Sequence, residues 1–171
     1  MTTKADPEYY YYANSEKVAL SEEKDMVAVD GARVVEAGLA TAEWERLRKA
    51  GRALLKGWWM IRAADLPSAV IGKLREMKAI QQVFKAQGAY IVAYPEIQLE
   101  ESRSAKSAKL KNWLKNNQRS VKIIENKGAN WLIEAKSGKG VDALNLANAL
   151  TEEFGPELSQ SRFVRVVKKP Q

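Results

Sequence analysis

Seven basic residues, Arg103, Lys106, Lys109, Lys111, Lys115, Arg119 and Lys122, fall between Ser102 and Ile124 with no acid among them. Cationic side chains at this density neutralise phosphates, so the segment is a candidate track for a nucleic-acid backbone. These seven account for the whole formal net charge of +7, since the remaining basic residues equal the 21 acids in number. Only Trp113 is interleaved as an aromatic. A single stripe of this kind is more simply the solvated side of a helix, which places nucleic acid behind other partners.

Catalytic chemistry is harder to assemble. The chain has no histidine and no cysteine. A Ser-His-Asp or Cys-His relay is therefore excluded, together with the commonest zinc ligand and any thiolate site or disulfide. Carboxylate pairs, lysine bases and magnesium sites stay open in principle, but no glycine-rich phosphate loop and no acidic cluster with metal spacing accompanies them. The expectation is a non-enzyme with no catalytic residue, metal or cofactor. No run of the 171 residues approaches the length of an apolar transmembrane helix, and Met1 to Glu8 has no apolar core for a signal peptide. No membrane partner is expected, and the chain reads as cytoplasmic as written.

The elements that position these residues follow from local pattern. Tyr9 to Tyr12 and Lys17 to Leu20 read as strands joined by the Asn-Ser turn of "ANSE", and "MVAV", Met26 to Val29, as a third. Thr41 is placed to cap a helix carrying Glu43 and Glu45 in its first turn, with Trp44 and Leu47 starting a 3.6-residue pattern that Gly51 ends. "RALLKGWWMIRA" reads as a strand pair turning at Lys56-Gly57. Asp65 and Pro67 open a second helix with Leu66, Val70, Leu74 and Met77 on one face, and "AIQQVF" returns as a strand. The same order then repeats: "EIQLE" as a strand, Ser107 to Asn117 as a helix with Leu110, Trp113 and Leu114 inward, "SVKIIENKGANWLIEA" as a hairpin, Asp142 to Phe154 as a helix stopped by Gly155-Pro156, and "SRFVRVV" as the closing strand.

Repetition shows in the residues too. "WMIRA", Trp59 to Ala63, matches "WLIEA", Trp131 to Ala135, and Trp44 matches Trp113 at nearly the same offset. The expected fold class is α+β: two tandem ferredoxin-like βαββαβ units with antiparallel sheets, preceded by an N-terminal β-hairpin. The boundaries are drawn at 1–25 for the hairpin, 26–89 for the first unit and 90–171 for the second with its tail. A unit of this size is marginal alone, so the two are expected to pack together, with the tryptophans as core anchors.

The second copy, from "EIQLE" through "LKNWLKNN", "VKIIENKGANWLIEA" and "DALNLANAL" to "SRFVRVVKKP", resembles the N-terminal prodomain of subtilisin-like serine proteases, above all the fervidolysin-like group. In that group a tyrosine-rich strand, a turn and a "K-V-x-L" strand precede the first repeat; here "YYYYANSEKVAL" and "DMVAV" stand at those places. The chain departs from the group before its last strand, where "GPELSQSRFV" replaces the usual turn. The resemblance implies a folding aid and transient inhibitor whose partner is a subtilisin-like serine protease catalytic domain, in cis or in trans. It implies a last strand of Phe163, Val164, Arg165, Val166 and Val167, with Lys168, Lys169, Pro170 and Gln171 lying extended in the protease cleft. Two alternatives come from other classes. A ferredoxin-like nucleic-acid binder would use segment 103–122, with Trp131 and Phe163 as the candidates for base stacking. A structural module would associate through Tyr9 to Tyr12.

Overall fold

The structure is a computed structural model that describes residues 7–100, 106–155 and 159–167. It is a mixed α+β fold: an antiparallel nine-stranded sheet and, among the described residues, four α-helices. The chain opens with β1 (Tyr9–Ala13) and β2 (Glu16–Asp30), followed by α1 (Thr41–Ala50), β3 (Arg52–Ala53), β4 (Trp58–Arg62), α2 (Ser68–Glu76) and β5 (Ile80–Ala86). The second half is β6 (Ala89–Glu100), α3 (Lys106–Asn116), β7 (Val121–Lys127), β8 (Asn130–Ala135), α4 (Gly140–Phe154) and β9 (Ser159–Val167).

Two of these strands are longer than local pattern suggests. The Lys17–Leu20 and Met26–Val29 segments are one strand, β2, which carries its extra residues as a bulge between Glu22 and Val27 opposite β5. "EIQLE" is only the second half of β6. A bulge absorbs residues that would otherwise end a ladder, which is how the charged "SEEKD" stays extended. Thr41 is the first helical residue of α1 and not its cap; Ala40 occupies the cap position and makes no side-chain bond there. Helix α4 starts two residues before Asp142, at Gly140.

The sheet runs in the order β3-β4-β2-β5-β6-β8-β7, with β1 on β2 and β9 on β6. Along β6, strand β9 pairs with Ala89 to Ala93 and again with Ile97 to Leu99. The opposite edge is therefore divided: β5 takes Ala89 to Val92 and β8 takes Glu96 to Glu100. Strand β2 repeats the pattern, with β5 along one edge and β1, then β4, along the other. The connecting hairpins match as well, closing at Ala13–Glu16 and Ala86–Ala89 with left-handed Asn14 and Gln87 at the first turn position. Strand β5 thus serves both halves.

The helices pack on one face. In the first half Val29 and Ile61 meet Trp44 and Leu47 of α1 and Val70 and Leu74 of α2. Trp59 lies edge-on to Trp44 with centroids 6.3 Å apart. In the second, Ile97, Leu99 and Ile133 meet Leu110 and Leu114 of α3 and Ala143, Ala147 and Leu150 of α4, with Trp113 and Trp131 against them. Trp59 pairs with Val29 and Trp131 with Leu99, equivalent places in the two halves. A third cluster bridges the halves: Leu20, Phe84, Ile91 and Ala93 pack with Leu144 of α4, and Tyr9 and Tyr11 close it from β1.

Where β5 and β8 diverge from the shared edge of β6, residues Lys136 to Gly140 fill the gap. Gln81, 5% exposed, donates from Nε2 to the Gly138 carbonyl at 2.8 Å and accepts the Gly140 N–H on Oε1 at 2.7 Å. Its side-chain amide thus bonds the loop as a peptide group of a neighbouring strand would. Lys78 Nζ donates to the Lys136 carbonyl at 2.7 Å. Gly140 is required by proximity, because a β-carbon there would collide with the Ala93 carbonyl. The far end of α4 holds the N-terminal hairpin: Tyr10 and Tyr12 hydroxyls donate to Glu152 at 2.7 and 3.0 Å, and Asn148 Nδ2 donates to the Tyr10 carbonyl at 2.8 Å.

Two stability outcomes follow from this arrangement. Gln81→Leu leaves the buried Gly138 carbonyl and Gly140 amide unpaired and should cost about 2–4 kcal/mol in denaturant unfolding, while Gly140→Ala should cost about 3 kcal/mol or more because backbone must move. Equal unfolding midpoints for both variants and the parent would show that the loop bonds are dispensable. The Tyr9 phenol, against Phe84 with centroids 5.1 Å apart, is held above its ordinary range first by burial and then by Glu8 and Glu22. The fold prefers the neutral phenol, so this contribution is full below the ordinary value of 10.0 and is lost as pH rises through the raised folded value. Tyr9→Phe should flatten the alkaline fall in stability, read as unfolding midpoint between pH 9 and pH 11.

Candidate functional site

Strand β9 carries five of the residues that the prodomain resemblance singles out. Phe163, Val164, Arg165, Val166 and Val167 stand opposite Ala93, Val92, Ile91, Tyr90 and Ala89 of β6 in an uninterrupted register. Ala93 and Ile91 belong to the helix-side cluster and Val92 and Tyr90 to the opposite face. Positions 163 and 165 are therefore in register with the helix side, and 164 and 166 with the other side. Lys168, Lys169, Pro170 and Gln171 lie outside the described residues, as does Arg103.

The face of the sheet away from the helices is the surface that sequence reasoning missed. Over β4, β2, β5 and the first part of β6 it is apolar: Ala28, Met60, Val83, Val92 and Tyr94 are buried side by side, with Met26, Leu54, Trp58 and Tyr90 partly exposed around them. Trp58 and Tyr94 lean together with centroids 5.6 Å apart. Over the end of β6 and β8 the same face is polar, carrying Glu96, Gln98 and Glu134. The available signal was the unbroken apolar run "WWMI". A strand buried on one side alternates, and one with both sides covered or sticky does not. At the border of the apolar area Lys85 pairs with Glu23 and stands 5.6 Å from the Tyr90 ring centroid. The hydrogen bond that Lys85 donates to Glu23 raises the Lys85 pKa against the lowering effect of burial.

The basic segment is divided among three elements. Lys106, Lys109, Lys111 and Lys115 lie on α3, Arg119 in the turn after it, and Lys122 on β7. Lys109, Lys111, Lys115, Arg119 and Lys122 are exposed, and none of the five forms an ion pair with another described residue. Helical geometry puts Lys111 and Lys115, four residues apart, on one face of α3 and Lys109 on another part of its outer arc. Trp131, a proposed stacking residue, packs on the helix side with Leu99 and Leu110, and its buried indole N–H meets no acceptor among the described residues. On the open face Trp58 lies on β4, near the far end of the strand order from β7, and Tyr94 lies on β6, two strands from β7. Among the described residues, the cations of α3 and the aromatics of the open face therefore lie on opposite sides of the sheet.

The tyrosines of β1 are engaged within the chain, Tyr9 and Tyr11 in the bridging cluster and Tyr10 and Tyr12 at Glu152. A cleft of about 550 Å³ runs between α2 and the start of α4, lined by Lys24, Arg75, Lys78 and Lys139 but also by Glu22 and Asp142. Its charges are mixed, and Lys78 and Glu22 already bond Lys136 and Gln82. Among the described residues no group of three His, Cys, Asp or Glu is arranged to hold a metal ion, and no helix is long and apolar enough to cross a membrane. In comparisons with known proteins the chain matches no family model, no curated protein and no solved structure.

Because its cations are dispersed, the segment should bind single-stranded RNA or DNA only as a diffuse counter-charge, with Kd weaker than about 10 µM at physiological salt and no sequence preference. Fluorescence anisotropy with labelled oligonucleotides checks this. Submicromolar binding that disappears when Lys109, Lys111 and Lys115 are changed to glutamate would reverse the ranking of partners.

Proposed function

We propose that this chain is a non-catalytic protein-binding module of the subtilisin-prodomain kind, which assists the folding of a subtilisin-like serine protease catalytic domain and transiently blocks it. The observation that carries the reading is the position of β9: among the described residues it is an edge strand paired on β6 alone, and residues 168–171 follow it in sequence. An extended segment leaving a sheet edge is suited to add to the edge of a cleft, gaining main-chain hydrogen bonds while side chains fill pockets.

Strand order supports the finer description of two tandem ferredoxin-like units. The orders β5-β2-β4-β3 and β9-β6-β8-β7 are each last-first-third-second within their half, with both helices on one face. That is the arrangement expected of a split βαβ unit. In this reading β5 closes the first unit and also begins the hairpin into the second, and the β1–β2 hairpin holds the corresponding place before the first. The apolar open face around Trp58, Met26 and Tyr90 is the area offered to the protease surface, the exposed apolar patch that such a contact needs. A module that binds the folded protease better than the unfolded chain stabilises it by linkage, which supplies the folding assistance without any chemistry of its own.

The experiment is inhibition kinetics against a panel of subtilisin-like proteases. The full chain should inhibit at least one competitively, and deletion of Lys168 to Gln171 should weaken that inhibition roughly tenfold or more, since each lost main-chain bond is worth about 1 kcal/mol. Circular dichroism should show an unchanged fold after the deletion. Unchanged inhibition would remove the cleft-tail mechanism, and failure to bind any protease of the class would remove the assignment.

A further inference from the structure

The sheet has four outer strands, and three of them are protected. Strand β3 is two residues long. Strand β7 is bulged between Ile123 and Glu125 and carries Lys122, Glu125 and Lys127. Strand β1 is tied to α4 through the Tyr10 carbonyl and the Tyr10 and Tyr12 hydroxyls. Short length, bulges, charges and a covering helix are the devices that keep sheet edges from pairing with another chain.

Strand β9 is the least protected of the four: it carries Arg162 and Arg165 and lies beside α4, but among the described residues it is neither short nor bulged. It runs for nine residues, and the extra residues of its irregular register with β6 lie in β6, so β9 itself is regular. Its counterpart in the first half, β5, pairs with β2 on one edge and with β6, antiparallel, on the other. The edge of β9 that corresponds to the β6 side of β5 has no strand on it among the described residues.

We propose that a second copy of this chain occupies that edge, the two β9 strands pairing antiparallel about a two-fold axis so that one sheet runs through both copies. An edge strand is self-complementary, since its outward N–H and C=O groups alternate identically on both partners. Charge is compatible with it. A two-fold axis perpendicular to the sheet keeps like faces together, so it pairs only positions separated by an even number of residues. Arg162 and Arg165, three apart, never stand opposite each other. In the register of full overlap, centred on Phe163, Arg162 faces Val164 of the partner subunit and Arg165 faces Ser161 of the partner subunit. The internal β5–β6 pair shows that this fold tolerates an antiparallel strand at that place.

Light scattering coupled to size exclusion should show a dimer fraction rising as the chain is concentrated from roughly 1 to 100 µM, the range expected for a weak two-fold edge contact. Val164→Pro and Arg165→Pro identify the contact, because adjacent residues of an antiparallel strand direct their N–H groups to opposite edges. One variant loses a bond to β6 and unfolds at lower temperature. The other keeps the parent midpoint and should be monomeric at every concentration. Amide exchange followed by NMR on the unaltered chain gives a second readout. One alternating set of β9 amides should be protected at all concentrations, and the other should slow roughly tenfold only in the concentrated sample. A chain that stays monomeric across this range, a dimer that persists in the fold-retaining proline variant, or β9 exchange that ignores concentration would each overturn the proposal.

Discussion

A single strand edge that two strands must share sets the geometry of the whole molecule. With β9 along one side of β6, strands β5 and β8 have only the other side, and they divide it end to end around Ala93 and Glu96. Two strands meeting that way leave backbone groups uncovered between them, and buried backbone groups must find partners. The loop Lys136 to Gly140 supplies the cover and the Gln81 amide ties it down. The tightness of that fit fixes where α4 begins. Its starting point and direction then decide that Leu144 reaches the bridging cluster and that Asn148 and Glu152 reach β1.

The two halves share topology but differ in surface. Helix α2 has nine residues and α4 fifteen, so only α4 is long enough to serve its own half, the bridge and the N-terminal hairpin. On the far face, Trp58 and Tyr94 shelter Met60 and Val92 across β4 and the first part of β6, while Glu96 and Glu134 mark the polar area over the end of β6 and β8. The open face of the sheet thus has one sticky end and one wettable end. Residues tied to register, such as Trp59 and Trp131, kept equivalent roles in both halves, and those on the open face did not.

Much of this was legible in the residues. Helix positions followed from the spacing of Trp44 and Leu47, of Val70 and Leu74, and of Leu146, Ala147 and Leu150, because an amphipathic face has a period that any reader can count. The turns at Asn14 and Gly128 were visible for the same local reason. What escaped depends on contacts between distant residues. Nothing near Glu22 announces a bulge, since it is β5 that keeps the strand extended. Gln81 looks like any polar residue on a strand until the loop 57 residues later is placed beside it. The basic stripe shows the opposite case, for residues adjacent in sequence are divided among a helix, a turn and a strand.

The bonds between β1 and α4 have a consequence for the order in which the chain leaves the ribosome. The β1–β2 hairpin is local and can close within microseconds of its synthesis. Its side-chain anchors, however, lie 138 to 142 positions away, at Asn148 and Glu152. Until α4 has emerged, the hairpin lacks Glu152 for the Tyr10 and Tyr12 hydroxyls and Leu144 against which to bury Tyr9 and Tyr11. The hairpin is therefore made long before the helix that locks it, and a nascent chain halted before α4 leaves its tyrosines less covered for as long as it waits.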